Sequence, residues 1–203
     1  MTLDSGVRDP TIGPGLLVAH LEYIGWVTER ILARVDYLSA GALTQTVESS
    51  FPTLLETLRH VYGWHRYYCI HLQGGRADQS DISAPDSYEQ LRRAWSVLDR
   101  EIISWATENL AARKDAVLDG WGIWPAWMVV LQMANHATHH FGQVVTLLRQ
   151  LGYAPEKMES TDLIRYLLRR YPQEGQKPWL KAVLDRDGAL LEGSSVDGPP
   201  QTA

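Results

Sequence analysis

The stretch "ANHATHHFGQ", residues 134–143, sets His136, His139 and His140 within five residues, three of the seven histidines in the chain. In a helix, positions i and i+4 share a face. His136 and His140 are so spaced, and two imidazoles there can grip one cation. His139 lies about 100° around the axis from His140 and about 60° from His136, so it could replace either. The alternative for such a pair is surface histidines or hydrogen-bonded core histidines. A third ligand on another helix would decide for metal, and His60, in "LLETLRHVYGWHRYY", is the natural candidate. Its face is mixed: Glu56 and Thr57 precede it, Gly63 and Trp64 follow. His60 therefore also reads as a satisfied, partly buried histidine, and both readings stand.

Three neutral imidazoles on two helices suit zinc or a similar divalent ion. They leave a fourth position open for water or substrate, the mark of a catalytic site. Structural zinc sites close all four positions and favour cysteine. Cys69 lies about 13 Å along the helix from His60, too far for a fourth ligand, and reads as a small buried apolar residue. HExxH is absent, since position 137 is Ala, which removes the glutamate base of a zincin. The ExxH pairs of di-iron bundles are absent around His136 and His140. Imidazoles accept zinc, nickel, copper and iron alike. Of the other histidines, His65 reads as bonding outward, His71 as favouring the helix C-terminal dipole, and His20 as exposed.

These side chains need helices to carry them. Apolar residues recur at three- and four-residue steps from Leu16 to about Leu38, and "SAGA" at 39–42 ends that run. A second helix is predicted over about 52–72, with Thr53 and Glu56 at capping-box spacing and Gly74-Gly75 as a stop. "RADQSDISAPD" reads as loop. A third helix runs from the Ser87/Gln90 capping pair to about Asn109. "AARKDAVLDGWGIW" reads as an irregular linker with a short extended piece. Pro125 suits N1 of a fourth helix that ends near Leu151, with Gly152 at C′. "STDLIRYLLRRY" is a shorter fifth helix capped by Ser160 or Thr161. No segment alternates like a strand. The fold class is therefore all-α: a four-helix bundle with a short additional C-terminal helix, spanning residues 14–172 after a loose leader (1–13). Residues 173–203 form a largely irregular extension with one weak amphipathic patch, "PWLKAVLDRDGALL". Sites in such bundles are built in the core from facing helices.

Composition agrees with one domain: 203 residues, 45% apolar, net charge −5, both signs interspersed. Without a Lys/Arg block, nucleic acid and anionic membrane surfaces are not expected partners. A single cysteine excludes an internal disulfide. No apolar run reaches the ~18 residues a membrane span needs, and the acidic start lacks a signal-peptide pattern. The expectation is a soluble cytoplasmic protein. Eight tryptophans stand against two phenylalanines. Trp121, Trp124 and Trp127 border a site mouth or cap the bundle, and capping is favoured.

"NHATHHFGQVVTLLRQLGY" resembles the last long helix of the DinB/YfiT-like proteins, and "TLLETLRHVYGWHRYY" resembles their second. "DLIRYLLRRY" is similar to their closing segment, so the resemblance covers about residues 16–172. It implies a four-helix bundle, often a homodimer, with His60, His136 and His140 holding a divalent metal, zinc or nickel, at one end. His139 would then be a neighbour. It also implies a metal-dependent enzyme of the thiol S-transferase type, acting on a small molecule with a low-molecular-weight thiol as cosubstrate. Such a site lowers the pKa of a thiol or a water. Hydrolysis is the variant reading. A non-catalytic metal-binding bundle, acting as a stress-associated or interaction protein, is the alternative from another class. Trp64 becomes a candidate pocket wall or a core residue. Gln143 becomes a ligand contact or a support for a metal ligand, and Glu56 an orienter of His60 or a solvated residue. Phe141 stands where the family commonly has Arg, which removes whatever contact that Arg makes.

Overall fold

The computed structural model describes residues 12–118, 124–153 and 161–170. Four long helices dominate: α1 (Pro14–Val35), α3 (Leu54–Leu72), α4 (Tyr88–Arg113) and α5 (Ala126–Gln150). Two short ones join them, α2 (Ala40–Thr44) and α6 (Leu163–Arg170), with a 3-10 turn over Gln79–Ile82. Among the described residues the only strand-like feature is a lone bridge between Val117 and Pro125. The all-α bundle expected from periodicity is what the chain forms.

Local chemistry explains the boundaries. The Thr53 hydroxyl accepts from the Glu56 N–H at 3.1 Å, starting α3, and Ser87 does the same for Gln90 at 3.2 Å, starting α4. Gly152, at φ +78°, closes α5. There the Tyr153 N–H reaches back to the Leu148 carbonyl at 2.8 Å, the Schellman arrangement.

Several expected boundaries shift. α1 stops at Val35, and the "SAGA" segment opens α2, capped by Ser39, rather than merely ending a helix. α4 runs on to Arg113. Pro125 is the N-cap of α5, not its first helical residue. "RADQSDISAPD" is no simple loop, because Asp78 and Asp81 form a reciprocal capping box around the 3-10 turn. Ser160, Trp121 and the "PWLKAVLDRDGALL" patch lie outside the described residues.

α5 packs against both α1 and α3, and α4 closes the other side against α1 and α3. Trp95 of α4 sits fully buried where they meet, its ring against Tyr62, His65 and Phe141. The two helices that carry the candidate ligands, α3 and α5, are therefore held face to face along a shared seam. No helix among the described residues is long and apolar enough to cross a membrane.

Candidate metal centre

His60 lies in the middle of α3, and His136 and His140 lie one turn apart on α5. Packing of α3 on α5 brings one ring nitrogen of each to within 4.8 Å of the others. His60 Nε2 and His136 Nε2 are 3.0 Å apart. The ring centroids are 5.0 Å apart for His60 and His136, 4.7 Å for His60 and His140, and 4.5 Å for His136 and His140. His60 and His136 are partly buried and His140 is buried. His139 is exposed and outside the cluster.

The cluster is neutral at ordinary pH. Burial, then the nearby His140, pushes His60 down to about 4. Burial, then His140 and His60, pushes His136 down to about 3. His140 is lowered by burial and partly restored by its bond to Gln143. A neutral imidazole offers a lone pair, which is the state a metal ligand needs.

Gln143 shows how the lone pairs are aimed. Its Oε1 lies 2.8 Å from His140 Nδ1, and its Nε2 donates to Ser50 Oγ at 3.0 Å. With the amide so placed, Oε1 accepts the Nδ1 proton, and the His140 Nε2 lone pair is left for the cluster. Gln143 thus supports a candidate ligand. The other side of the cluster is covered by Phe51, whose ring is 4.4 Å from His60 and 5.7 Å from His140. Trp64 stands on the remaining flank, 6.3 Å from His60 and 6.1 Å from His136.

The donor set fits a divalent cation. Two Nε2 atoms at 3.0 Å can share one proton, a weak neutral contact, or converge on one cation. His136 Nδ1 is buried without a hydrogen-bond partner in the protein, in either arrangement. No carboxylate joins the group among the described residues. A cation would be held by neutral nitrogens and keep its full charge.

Other expectations resolve differently. His65 does not bond outward. It is 1% exposed, edge-on to Trp95, with both ring nitrogens unpartnered. Burial holds it down to about 4. His71 does lie in the last turn of α3, buried against Tyr67, and His20, expected to be exposed, is partly buried. Glu56 pairs with Arg59 at 2.9 Å, which makes it a helix-face residue. Trp127 is a core residue and Trp124 is exposed. Cys69 is buried, its thiol pushed up to about 12 by burial, so it is no nucleophile. Phe141 is 2% exposed and packs on Trp95. Position 141 here serves the core, and an arginine would bury its charge.

Ser50 and Phe51 escaped the sequence reading, because their loop folds over the cluster from outside the helices that carry it. The 3-10 turn escaped too. Its trace in the sequence is Gly63, a mid-helix glycine that costs about 1 kcal/mol against alanine and marks a close approach.

The sequence model of the DinB family matches residues 15–174. Among curated proteins, Protein DinB of Bacillus subtilis (strain 168) is 24% identical over 150 residues, covering 66% of this chain and 84% of that protein. No solved structure matches.

Proposed function

The chain belongs to the DinB family, and from that premise we propose that it is a metal-dependent enzyme of the thiol S-transferase type. His60, His136 and His140 would hold one divalent ion, zinc or nickel. The observation that carries this reading is the convergence of three neutral imidazoles with no counter-charge among them, one of them aimed by Gln143. A divalent ion held there supplies Lewis acidity, which lowers the pKa of a thiol or a water that reaches it.

The side chains of the protein account for the rest. Gln143 keeps the Nδ1 proton on His140 and so fixes its ring. Phe51 excludes water from the faces of His60 and His140. Trp64 walls the flank where a small-molecule substrate would approach. No protein thiol takes part, since Cys69 is buried and protonated. In the transfer, the thiol proton leaves to solvent. The sulfur–carbon bond forms as the bond from that carbon to its leaving group breaks.

Metal content by mass spectrometry tests the first step. The expected result is about one ion per chain in the parent and in His139→Ala, and almost none in His60→Ala, His136→Ala or His140→Ala. Transfer is then followed with zinc- or nickel-loaded protein, L-cysteine, bacillithiol or mycothiol as thiol, and monobromobimane as electrophile. A parent that neither carries metal nor takes it up sinks the proposal. A loaded parent no faster than His136→Ala with every thiol removes the transferase and leaves the non-catalytic bundle.

A further inference from the structure

Beside the cluster, sharing Trp64 with it, the described residues form a cleft of about 600 Å³ lined by Trp64, Tyr67, Gln79, Ser80, Ile82 and Ser83. We infer that this cleft is a binding site for an uncharged, planar aromatic molecule with a hydrogen-bonding substituent, the electrophile that the Trp64 wall presents to the histidine cluster. The inference rests on the proposed function and names its substrate class.

Four observations carry it. The first is the wall. Trp64 and Tyr67 stand edge-to-face with ring centroids 5.3 Å apart, and Ile82 adds apolar surface. Both rings are partly exposed, and the aromatic surface they show to the cleft suits packing of a further ring. The second is charge. No lining residue is ionised. Just outside it, Asp78 accepts from the Ser80 hydroxyl at 2.5 Å, and Asp81 pairs with Arg66 at 3.5 Å, so the surroundings disfavour an anion. The Gln79 amide and the Ser83 hydroxyl, which accepts from Arg66 and keeps its own proton, supply the polar contacts that orient a ligand, and the volume falls within the range of small-molecule sites.

The third is how the cleft is built. Its outer wall is the 3-10 turn, pressed onto α3 at Gly63. A Cβ at Gly63 would lie 2.0 Å from the Ile82 carbonyl oxygen, against backbone that cannot yield without moving the turn. Ion pairs anchor the segment on both sides: Arg66 with Asp81, and Arg59 with Asp86 at 2.9 Å. Arg66 also donates to Ser83 Oγ at 3.3 Å. The fourth is position. The indole that lines the cleft also meets His60 and His136, so the cleft and the cluster share that wall.

The test is a ligand-observed NMR titration of the full chain with 4-nitrobenzyl alcohol, zinc-loaded and after chelation, with zinc content measured on the same samples. The expected result is saturable binding at one site. Cyclohexylmethanol and 4-nitrobenzoate should each bind at least tenfold more weakly. Gly63→Ala and Ile82→Asp should each weaken 4-nitrobenzyl alcohol at least tenfold while keeping their zinc. Ile82→Asp, on the outer segment, keeps the test decisive should Gly63→Ala fail to fold. Non-saturable binding overturns the inference. So does undiminished binding by a folded Gly63→Ala or Ile82→Asp, or tighter binding of the benzoate. Zinc without probe binding removes the cleft and keeps the metal reading. Probe binding without zinc does the reverse.

Discussion

Of the polar clusters between helices among the described residues, two are balanced in opposite ways. Between α1 and α4, Arg92 donates to both oxygens of Glu29 and lies 3.4 Å from Asp36. Tyr88 donates to Asp36 at 2.6 Å and to the Leu32 carbonyl at 3.0 Å. Acid meets base, donor meets acceptor, and the protein supplies every partner. Between α3 and α5, three groups of one kind meet with no opposite charge, and they stay neutral because burial and mutual repulsion keep protons away. The comparison teaches that a cluster of titratable groups is left with lone pairs to offer a cation when its members cannot pair among themselves, and is structure when they can.

The sharpest way to break that contrast is to add and remove metal while watching stability. A cation that binds only the folded chain, at a free concentration of 100 times its Kd, adds about 2.7 kcal/mol. For a chain of this size that corresponds to a rise of roughly 5–10 °C in Tm. We expect this rise with zinc or nickel in the parent and in Arg92→Met, and its absence in His136→Ala. An equal rise in His136→Ala would place the cation elsewhere. Loss of the rise in Arg92→Met would show that the two clusters are not independent.

Next in size is Gln143. Leucine there keeps the volume but leaves the His140 Nδ1 proton without its acceptor. Loss of such a partner lowers metal affinity about 10–100-fold. Gln143→Glu restores an acceptor and should recover most of it. Competition with a chelator of known affinity reads the difference. Equal affinity for Gln143→Leu and the parent would mean that His140 is aimed by packing alone.

A third test uses pH, where the two sides of the bundle pull in opposite directions. Partly buried Asp99 of α4 is raised from 3.8 to about 7 by burial, then by the negative charge of Glu29. Folded, it keeps its proton up to about 7; unfolded, it loses it near 3.8. The folded state therefore binds more protons between those values, and this contribution falls as pH rises through the window. The histidines behave in the reverse sense. His65 holds its proton only below about 4 when folded, so its contribution is present above 6.5 and is lost as pH falls toward 4. Asp99→Asn should raise stability at pH 8 by about 1–2 kcal/mol, after discounting for partial exposure, and by nothing near pH 4. Urea unfolding of metal-free protein at both values reads this. A gain of equal size at pH 4 would assign it to packing.

What the sequence showed of this follows from what each feature depends on. Helix periodicity and caps are local. Thr53, Ser87 and Gly152 act where their neighbours in the chain predict, and the four long helices were legible. The i, i+4 spacing of His136 and His140 was legible for the same reason. That His60 faces them depends on how α3 lies on α5, which no local pattern encodes; the residues alone left His60 between ligand and core histidine, and the family resemblance pointed to the ligand. His65 shows the cost of reading one helix alone. A polar residue next to Trp64 looked outward, yet the face it occupies is turned into the core by α4, and Trp95 packs on it. The 3-10 turn over α3 and Phe51 over the cluster are loop placements, the first fixed at long range by Gly63, Arg59 and Arg66.

The smallest effect is expected in the cluster that looks the most elaborate. Arg92→Met removes two contacts to Glu29 and one to Asp36. Yet the partners are open to water, with Glu29 61% and Asp36 43% exposed in their side chains, and such pairs contribute about 0.2–1 kcal/mol. Methionine keeps the apolar stem against the helix, so the loss should stay below about 1 kcal/mol. Tyr88→Phe should cost somewhat more, about 1–2 kcal/mol. The Leu32 carbonyl that its hydroxyl reaches lies inside the bundle, where water replaces the lost bond poorly. Denaturant melts of both variants at pH 7, without and with 0.5 M NaCl, separate the two. Salt should erase the difference between Arg92→Met and the parent, because that difference is Coulombic, and should leave the Tyr88→Phe deficit in place. If Arg92→Met costs more than Tyr88→Phe and resists salt, the arginine cluster is a buried structural centre. The exposure of its carboxylates would then have misled, and the contrast with the histidines would have to rest on charge alone.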